Sequence, residues 1–281
     1  NASADTITVN AGITGTVIAG GDGNDTTTVV GSVQTSTIYG GSGNDNVTLT
    51  VGGNELDKSL IQDSSGNNKF VVTSTNTVED LTVNGGSGLD TLGIEANTDD
   101  LLFKGAAEND SVKITGTLSS STLYGGSGSD KFEVTSTTTS SVFQSGSGSN
   151  TYTFGGAVTA TVNGGSGSDK IVAGGNAVKG AYTLGDGKDE IAGGATDATI
   201  KMGAGNDKIA VSTLKGKAYL GTGADTVTLT GAATSALIQT SGSDNNTFQL
   251  NGGADTITLI AGSGNDAVTT DGSDAINYAD V

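Results

Sequence analysis

Apolar residues recur along this chain in columns that repeat every 18 to 23 residues. We call the residue that ends each glycine-rich turn its anchor. Large apolar side chains stand two and four positions after the anchor, as Phe132 and Val134 do after Asp130, and another stands seven positions before it, as Leu123 does. Alternation with a period of two is typical of β-strands with one buried face. The pattern predicts two short strands and two turns in each repeat, and no helix.

The repeat extends over nearly the whole chain. Self-similarity at a fixed period predicts a solenoid, in which each coil buries its apolar face by stacking on its neighbours. We expect an all-β, parallel β-solenoid of about thirteen coils. Residues 1–281 would form a single domain, with regular coils over about 1–250 and shortened, degenerate repeats over 251–281. The anchors are Asp5, Asp25, Asp45, Asn68, Asp90, Asp110, Asp130, Asn150, Asp169, Asp189, Asp207, Asp225 and Asn246, followed at closer spacing by Asp255, Asp266 and Asp274.

Composition narrows the choice of partner. The chain has 30 acidic residues and 12 lysines, with a formal charge of −18. This charge argues against nucleic acid and anionic membrane surfaces and favours cations. No apolar run is long enough to insert into a membrane. Histidine and cysteine are absent, and no carboxylate pair stands apart from the turns, so we expect no enzymatic activity.

The glycine turns carry the candidate chemistry. In the turn from Gly40 to Asp45, glycines stand two and four positions before the anchor. Glycine allows backbone conformations closed to other residues, so carbonyl groups can turn toward a common point. A carboxylate then completes a set of oxygen ligands, which hard cations such as calcium prefer. The alternative is a metal-free turn that needs Gly and Asp for its backbone conformation alone. Asn would suit such a turn equally well, but most anchors are Asp.

These turns resemble the calcium-binding nonapeptide of the RTX (repeats-in-toxin) family, G-G-x-G-x-D-x-U-x with U a large apolar residue. The full form reads GGSGNDNVT from Gly40, GGSGLDTLG from Gly85, GGSGSDKFE from Gly125 and GGSGSDKIV from Gly164. The resemblance implies a right-handed parallel β-roll that binds calcium between coils. Because the motif occupies only one edge of each coil, we expect a single row of roughly nine or ten calcium ions.

Carried over to this sequence, the resemblance implies two sets of metal-binding residues. The implied carboxylate ligands are Asp25, Asp45, Asp90, Asp130, Asp169, Asp189, Asp207, Asp225 and Asp266. The implied turn glycines are Gly21, Gly23, Gly41, Gly43, Gly86, Gly88, Gly126, Gly128, Gly165, Gly167, Gly185, Gly187, Gly203, Gly205, Gly221 and Gly223.

Four turns depart from the motif. Asn68 and Asn150 are uncharged anchors, and Glu108 replaces the glycine two positions before Asp110. Asp244 replaces the glycine two positions before Asn246. The sequence leaves open which of these four turns bind metal.

Three functional hypotheses remain. The first is a calcium-dependent structural protein of the bacterial cell surface, such as an S-layer subunit or a sheet or fibre that assembles through self-association. The second is an RTX repeat module of a larger secreted adhesin or toxin, in contact with neighbouring domains. The third is a calcium-dependent ice-binding solenoid, suggested by threonine pairs such as Thr26 and Thr28, although Lys131 and Glu133 interrupt that array. All three place the protein outside the cell.

Overall fold

The computed structural model describes residues 3–53, 55–175, 177–253, 256–272 and 274–280. The described residues form parallel β-strands stacked as a solenoid of about 13 turns, with no helix among them. This confirms the predicted all-β solenoid, while its right-handed winding stays a prediction. The chain divides into two compact units, Asn1–Gly146 and Ser147–Val281. The anchor Asp255 lies outside the described residues.

The strands of the first unit are short. Its first ten strands are β1 (Thr6–Val9), β2 (Ile13–Thr14), β3 (Val17–Asp22), β4 (Thr26–Val30), β5 (Val33–Gln34), β6 (Thr37–Ser42), β7 (Asn46–Val51), β8 (Leu56–Asp57), β9 (Leu60–Gln62) and β10 (Lys69–Ser74). The next ten are β11 (Val78–Glu79), β12 (Thr82–Asn84), β13 (Thr91–Glu95), β14 (Thr98–Asp99), β15 (Leu102–Ala107), β16 (Ser111–Ile114), β17 (Leu118–Ser119), β18 (Thr122–Ser127), β19 (Lys131–Val134) and β20 (Thr138–Ser147), the last of which ends one residue into the second unit.

Several strands of the second unit are longer. They are β21 (Thr151–Phe154), β22 (Val158–Ser166), β23 (Lys170–Ala173), β24 (Val178–Asp186), β25 (Glu190–Ala204), β26 (Lys208–Leu214), β27 (Lys217–Thr222), β28 (Thr226–Leu229), β29 (Thr234–Thr240), β30 (Thr247–Leu250), β31 (Thr256–Ala261), β32 (Ala267–Thr270) and β33 (Ala275–Asp280).

Equivalent positions of successive repeats stack directly on one another. In the first unit β10 lies between β7 and β13, so that Phe70 pairs with Val47 on one side and Leu92 on the other. In the second unit Ile191 of β25 pairs with Ile171 of β23 in the same way. Because the register shifts by one whole repeat, each apolar column of the sequence becomes a continuous ridge in the core.

The core contains the predicted columns. Phe70, Phe132 and Phe248, each two positions after its anchor, are at most 1% exposed. The ring of Phe132 meets that of Phe143 edge to face, with ring centroids 5.8 Å apart. The alternation of period two therefore identified the buried face correctly.

The prediction of two strands per coil is wrong for the first six coils of the first unit, which have three strands each, and correct for its last coil, which has β19 and β20. A residue with positive φ separates the second strand from the third, as Thr35 (φ 45°), Asp80 (φ 47°) and Ser120 (φ 48°) do. This left-handed residue turns the chain sharply and divides what would otherwise be one wall of the coil. In the second unit β25 continues over 15 residues without such a break.

Candidate metal centre

Within each unit the anchors form a buried column at the glycine-rich edge of the coils. Eight of the nine predicted ligand aspartates are at most 2% exposed, and Asp266 is half-buried. Asp110, Asn68, Asn150 and Asn246, which stand in turns that depart from the motif, are equally buried in the same columns. The side chains therefore project into the coil and not into solvent.

In most coils one oxygen of the anchor side chain accepts a hydrogen bond from the preceding coil. The backbone N–H of Asp25 donates to Asp45 Oδ1 at 2.6 Å, and the N–H of Asp90 donates to Asp110 Oδ1 at 2.8 Å. The second unit repeats the arrangement, with the N–H of Asp189 donating to Oδ1 of Asp207 at 2.8 Å. We call this series of bonds the inner ladder. Because these bonds need an acceptor oxygen in the side chain, they explain why the anchors are Asp or Asn.

A second ladder lies on the solvent side of the same turns and runs in the opposite sense. The N–H of Asn44 donates to Asn24 Oδ1 at 2.8 Å, and the N–H of Asn67 donates to Asn44 Oδ1 at 2.8 Å. Here the later coil donates to the side chain of the earlier one. This outer ladder explains why Asn so often stands before the anchor in the sequence.

At eight of the described anchor aspartates the other carboxylate oxygen has no hydrogen-bond partner although it is buried. A buried acceptor without a donor costs free energy, and a buried charge costs more. This unpartnered Oδ2 atom occurs in both units, at Asp25, Asp45, Asp90, Asp110, Asp189, Asp207, Asp225 and Asp266.

The asparagine anchors reveal what surrounds that second atom. Asn68 Nδ2 donates to the carbonyl oxygens of Gly66 at 3.1 Å and Gly85 at 3.2 Å. Gly66 stands two positions before the anchor, and Gly85 begins the turn of the next coil. An aspartate in this place therefore directs an oxygen, with no proton to donate, at carbonyl oxygens. The carboxylates lie where an amide donor fits well.

Serine forms the corresponding ladder at another corner of the first unit. Ser121 Oγ accepts the N–H of Leu101 at 3.0 Å and donates to the carbonyl of Ser119 at 2.6 Å. Ser36 similarly accepts the N–H of Thr16 and donates to the carbonyl of Gln34. A serine hydroxyl both accepts a hydrogen bond and donates one, so the carbonyl oxygen beside it has a donor and does not face a second acceptor. Unlike this serine ladder, the carboxylates of the inner ladder have no proton to donate.

The turn glycines have the backbone conformation that the sequence predicts. The sixteen implied turn glycines all have positive φ, from 89° to 158°, whereas Gly262 and Gly264, four and two positions before Asp266, do not. Glycine also permits close approach between coils. A Cβ atom on Gly41 would lie less than 3.0 Å from the carbonyl oxygen of Gly21, and one on Gly105 would collide with Asp110 Oδ2. The first collision is with the neighbouring backbone and the second with the anchor carboxylate itself.

Burial raises the pKa of several anchors. The pKa of Asp90 rises to about 6 and those of Asp189 and Asp225 rise to about 7, although a backbone N–H bond to each opposes the shift. For Asp110, burial and then repulsion from Asp90, Asp130 and Glu108 raise the pKa to about 8. The column therefore favours a bound positive charge, either a proton or a cation.

The donor set fits calcium. Buried carboxylate and carbonyl oxygens converge: the point at which a Cβ on Gly20 would sit is less than 3.0 Å from both Asp25 Oδ2 and the carbonyl oxygen of Gly40. Among the described residues no three acidic side chains come together. Calcium at these turns would therefore take one carboxylate from the anchor and most of its remaining ligands from backbone carbonyls, which suits an ion that binds six to eight oxygens.

Sequence reasoning missed Asp63. It stands five positions before Asn68, where the motif has glycine, and is 5% exposed. Its Oδ1 accepts the N–H of Ser64 at 2.7 Å, and its Oδ2 is buried without a hydrogen-bond partner. Burial, with repulsion from Asp45, raises the pKa of Asp63 to about 7. An acidic residue at a glycine position of the repeat was the available sign.

Comparison of the chain with models of protein families, with curated proteins and with solved structures finds no match. The family resemblance described above therefore stays a prediction. Over the described residues the chain has no helix long and apolar enough to cross a membrane.

Proposed function

We propose that this protein is a calcium-dependent structural solenoid of the bacterial cell surface, whose coils fold and assemble when calcium binds at the glycine turns. The observation that carries the calcium proposal is the column of buried Oδ2 atoms that lack a donor and face carbonyl oxygens. A divalent cation at these positions would remove both the repulsion between oxygens and the cost of burying the carboxylates.

Each member of the turn has a definite role in this proposal. The anchor aspartate holds the ion through Oδ2 while its Oδ1 keeps the N–H of the preceding coil. The two positive-φ glycines present carbonyl oxygens, and the close contact between stacked turns keeps successive ligands in register. The ion would supply the positive charge, and the carboxylate and carbonyl oxygens of the turns would be its ligands.

The structural role rests on the form of the molecule and on its chemistry. Nearly the whole chain is repeat, and it carries no histidine or cysteine with which to build an ordinary catalytic site. The acidic composition, rich in Gly, Thr and Ser, is typical of exported surface proteins. We place the protein outside the cell, where millimolar calcium matches sites of this kind.

Two measurements on one sample test the proposal. The chain is freed of metal with a chelator and titrated with calcium while far-UV circular dichroism records strand content and light scattering records particle mass. We expect strand content to appear as calcium rises and to disappear when chelator is added back, with magnesium as the control ion. Particle mass should then grow from that of a 27.4 kDa monomer to that of sheets or fibres.

Circular dichroism and light scattering test different parts of the proposal. A β-sheet spectrum that is the same in chelator and in calcium would contradict the calcium proposal. Calcium-dependent folding to a persistent monomer would remove the assembly role and favour a module of a larger secreted adhesin or toxin.

A further inference from the structure

Asp63 and Asp45 form a pair of buried carboxyl groups between adjacent coils. The point at which a Cβ on Gly40 would sit lies less than 3.0 Å from the Oδ2 atoms of both residues. Asp45 is 2% exposed and Asp63 is 5% exposed, and both Oδ2 atoms are without a hydrogen-bond partner. Two acceptors that face each other in a buried space repel unless a positive charge lies between them.

The position of Asp63 in the repeat is unusual. Stacked above Gly40, it is the first residue of the turn that ends at Asn68, and the preceding and following coils have glycine there, as Gly40 and Gly85. The anchor of the Asp63 turn is the uncharged Asn68, whose amide already satisfies two carbonyl oxygens. The turn whose anchor is the uncharged Asn68 therefore carries a carboxylate five residues earlier, at Asp63.

We infer that Asp45 and Asp63 together hold a divalent cation at a two-carboxylate site that differs from the single-carboxylate turns and fills at lower calcium. This inference rests on the proposed function, because it assigns a special site within the calcium row. Calcium sites gain affinity as the number of charged ligands increases, over orders of magnitude in known loops. Two carboxylates also match the charge of one divalent ion.

The test compares calcium binding to the full chain and to variants at defined free calcium, by equilibrium dialysis at neutral pH. Asp63→Asn keeps the size of the side chain and removes its charge, and Asp63→Gly restores the residue of the neighbouring coils. Ser145→Gly is the matched control, because Ser145 begins another turn of this length that ends at asparagine, Asn150, and carries no charge.

We expect the full chain to bind its first calcium at a free concentration at least about tenfold below that of the remaining sites. Both Asp63 variants should lose that first step and keep the rest, while Ser145→Gly should keep both. If Asp63→Asn folds poorly, Asp63→Gly provides the same comparison, since Gly40 and Gly85 are tolerated in the equivalent place.

The other outcomes are distinguishable. If all chains bind calcium with the same curve, the paired site is wrong and the proposed function stands. If none binds calcium, the proposed function is wrong. If Asp63→Asn leaves calcium binding unchanged but stabilises the metal-free chain, the two carboxyl groups share a proton, which overturns the inference.

Discussion

At the scale of the residue, one atom distinguishes the anchors. Asp207 and Asn68 present the same Oδ1 acceptor to the preceding coil, but the second atom is an unpartnered oxygen in Asp207 and a donor amide in Asn68. Because the surrounding backbone is the same in each repeat, replacing Asp by Asn or Asn by Asp at an anchor should also exchange the effect of that anchor on metal-free stability and on calcium binding. The chain therefore contains its own control for the metal hypothesis.

The first prediction concerns Asp207→Asn. In chelator the new amide should donate to the carbonyls that the carboxylate faces, so any folded population should gain about 1–2 kcal/mol of stability. In calcium the variant should gain less from the ion than the parent chain does. Far-UV circular dichroism of both chains, in chelator and across a calcium titration, measures the two changes in folded fraction.

Asn68→Asp is the reverse substitution and should act oppositely, with lower stability in chelator and a larger gain from calcium. An Asp207→Asn variant that is less stable in chelator than the parent would contradict our assignment of donors and acceptors around Oδ2.

At the scale of the element, the glycine turn depends on left-handed backbone. The turn that ends at Asp110 reaches the same conformation without glycine, because Ala106 (φ 84°) and Glu108 (φ 73°) have positive φ. Left-handed conformations cost residues other than glycine about 1–2 kcal/mol each. This turn is therefore held in shape by its neighbours.

We predict that Glu108→Gly stabilises the protein by up to about 1 kcal/mol, since relief of the strain outweighs the added freedom of the unfolded chain. The variant also removes a negative charge beside Asp110. Denaturant unfolding at saturating calcium measures the change.

The control lies in the adjacent coil at the same position. Gly128→Ala places a Cβ less than 3.0 Å from the carbonyl oxygen of Glu108 at a φ of 126°, so this substitution should destabilise. If both substitutions had the same sign, backbone strain would not explain the preference for glycine.

The sequence predicts the walls of each coil better than its corners. Phe70 and Phe132 are buried as their spacing requires, because alternation is a local property of a strand. The three-strand coil of the first unit was missed because its left-handed residues, such as Thr35 and Asp80, have no common side chain. Asp63 was missed because its importance depends on Asp45, a contact that arises only when the coils stack.

At the scale of the whole molecule, buried carboxyl groups and a charge of −18 act together on stability. Burial raises the pKa of Asp110 to about 8 and those of Asp189 and Asp225 to about 7, above the ordinary value of about 3.9. A raised pKa in the folded state means that folding takes up protons. Stability from protonation of these groups is then fully present below about pH 4 and is lost progressively as pH rises through about 4 to 8.

We predict that the metal-free chain becomes less stable between pH 5 and pH 8, opposite to ordinary acid denaturation. Protonation should keep the dialysed, chelator-treated protein folded near pH 5, and its thermal unfolding midpoint should fall as pH rises toward the neutral range, where we expect the metal-free chain to be unfolded. Saturating calcium should reduce the slope, because the ion supplies the positive charge that protons otherwise provide. A midpoint that rises with pH in metal-free buffer would contradict the burial of ionisable carboxyl groups in this column.

The opposite senses of the inner and outer ladders bear on how unfolding spreads. The boundary between the coils of Asp25 and Asp45 is closed by the Oδ1 of Asp45 from one side and by the Oδ1 of Asn24 from the other. A coil in the interior therefore shares acceptors with both neighbours, whereas a terminal coil shares them with one. In a solenoid whose stability is a sum of coil and nearest-neighbour terms, an interior defect breaks two couplings and fraying of a terminal coil breaks only one. Melting should therefore proceed from coil ends in cooperative blocks.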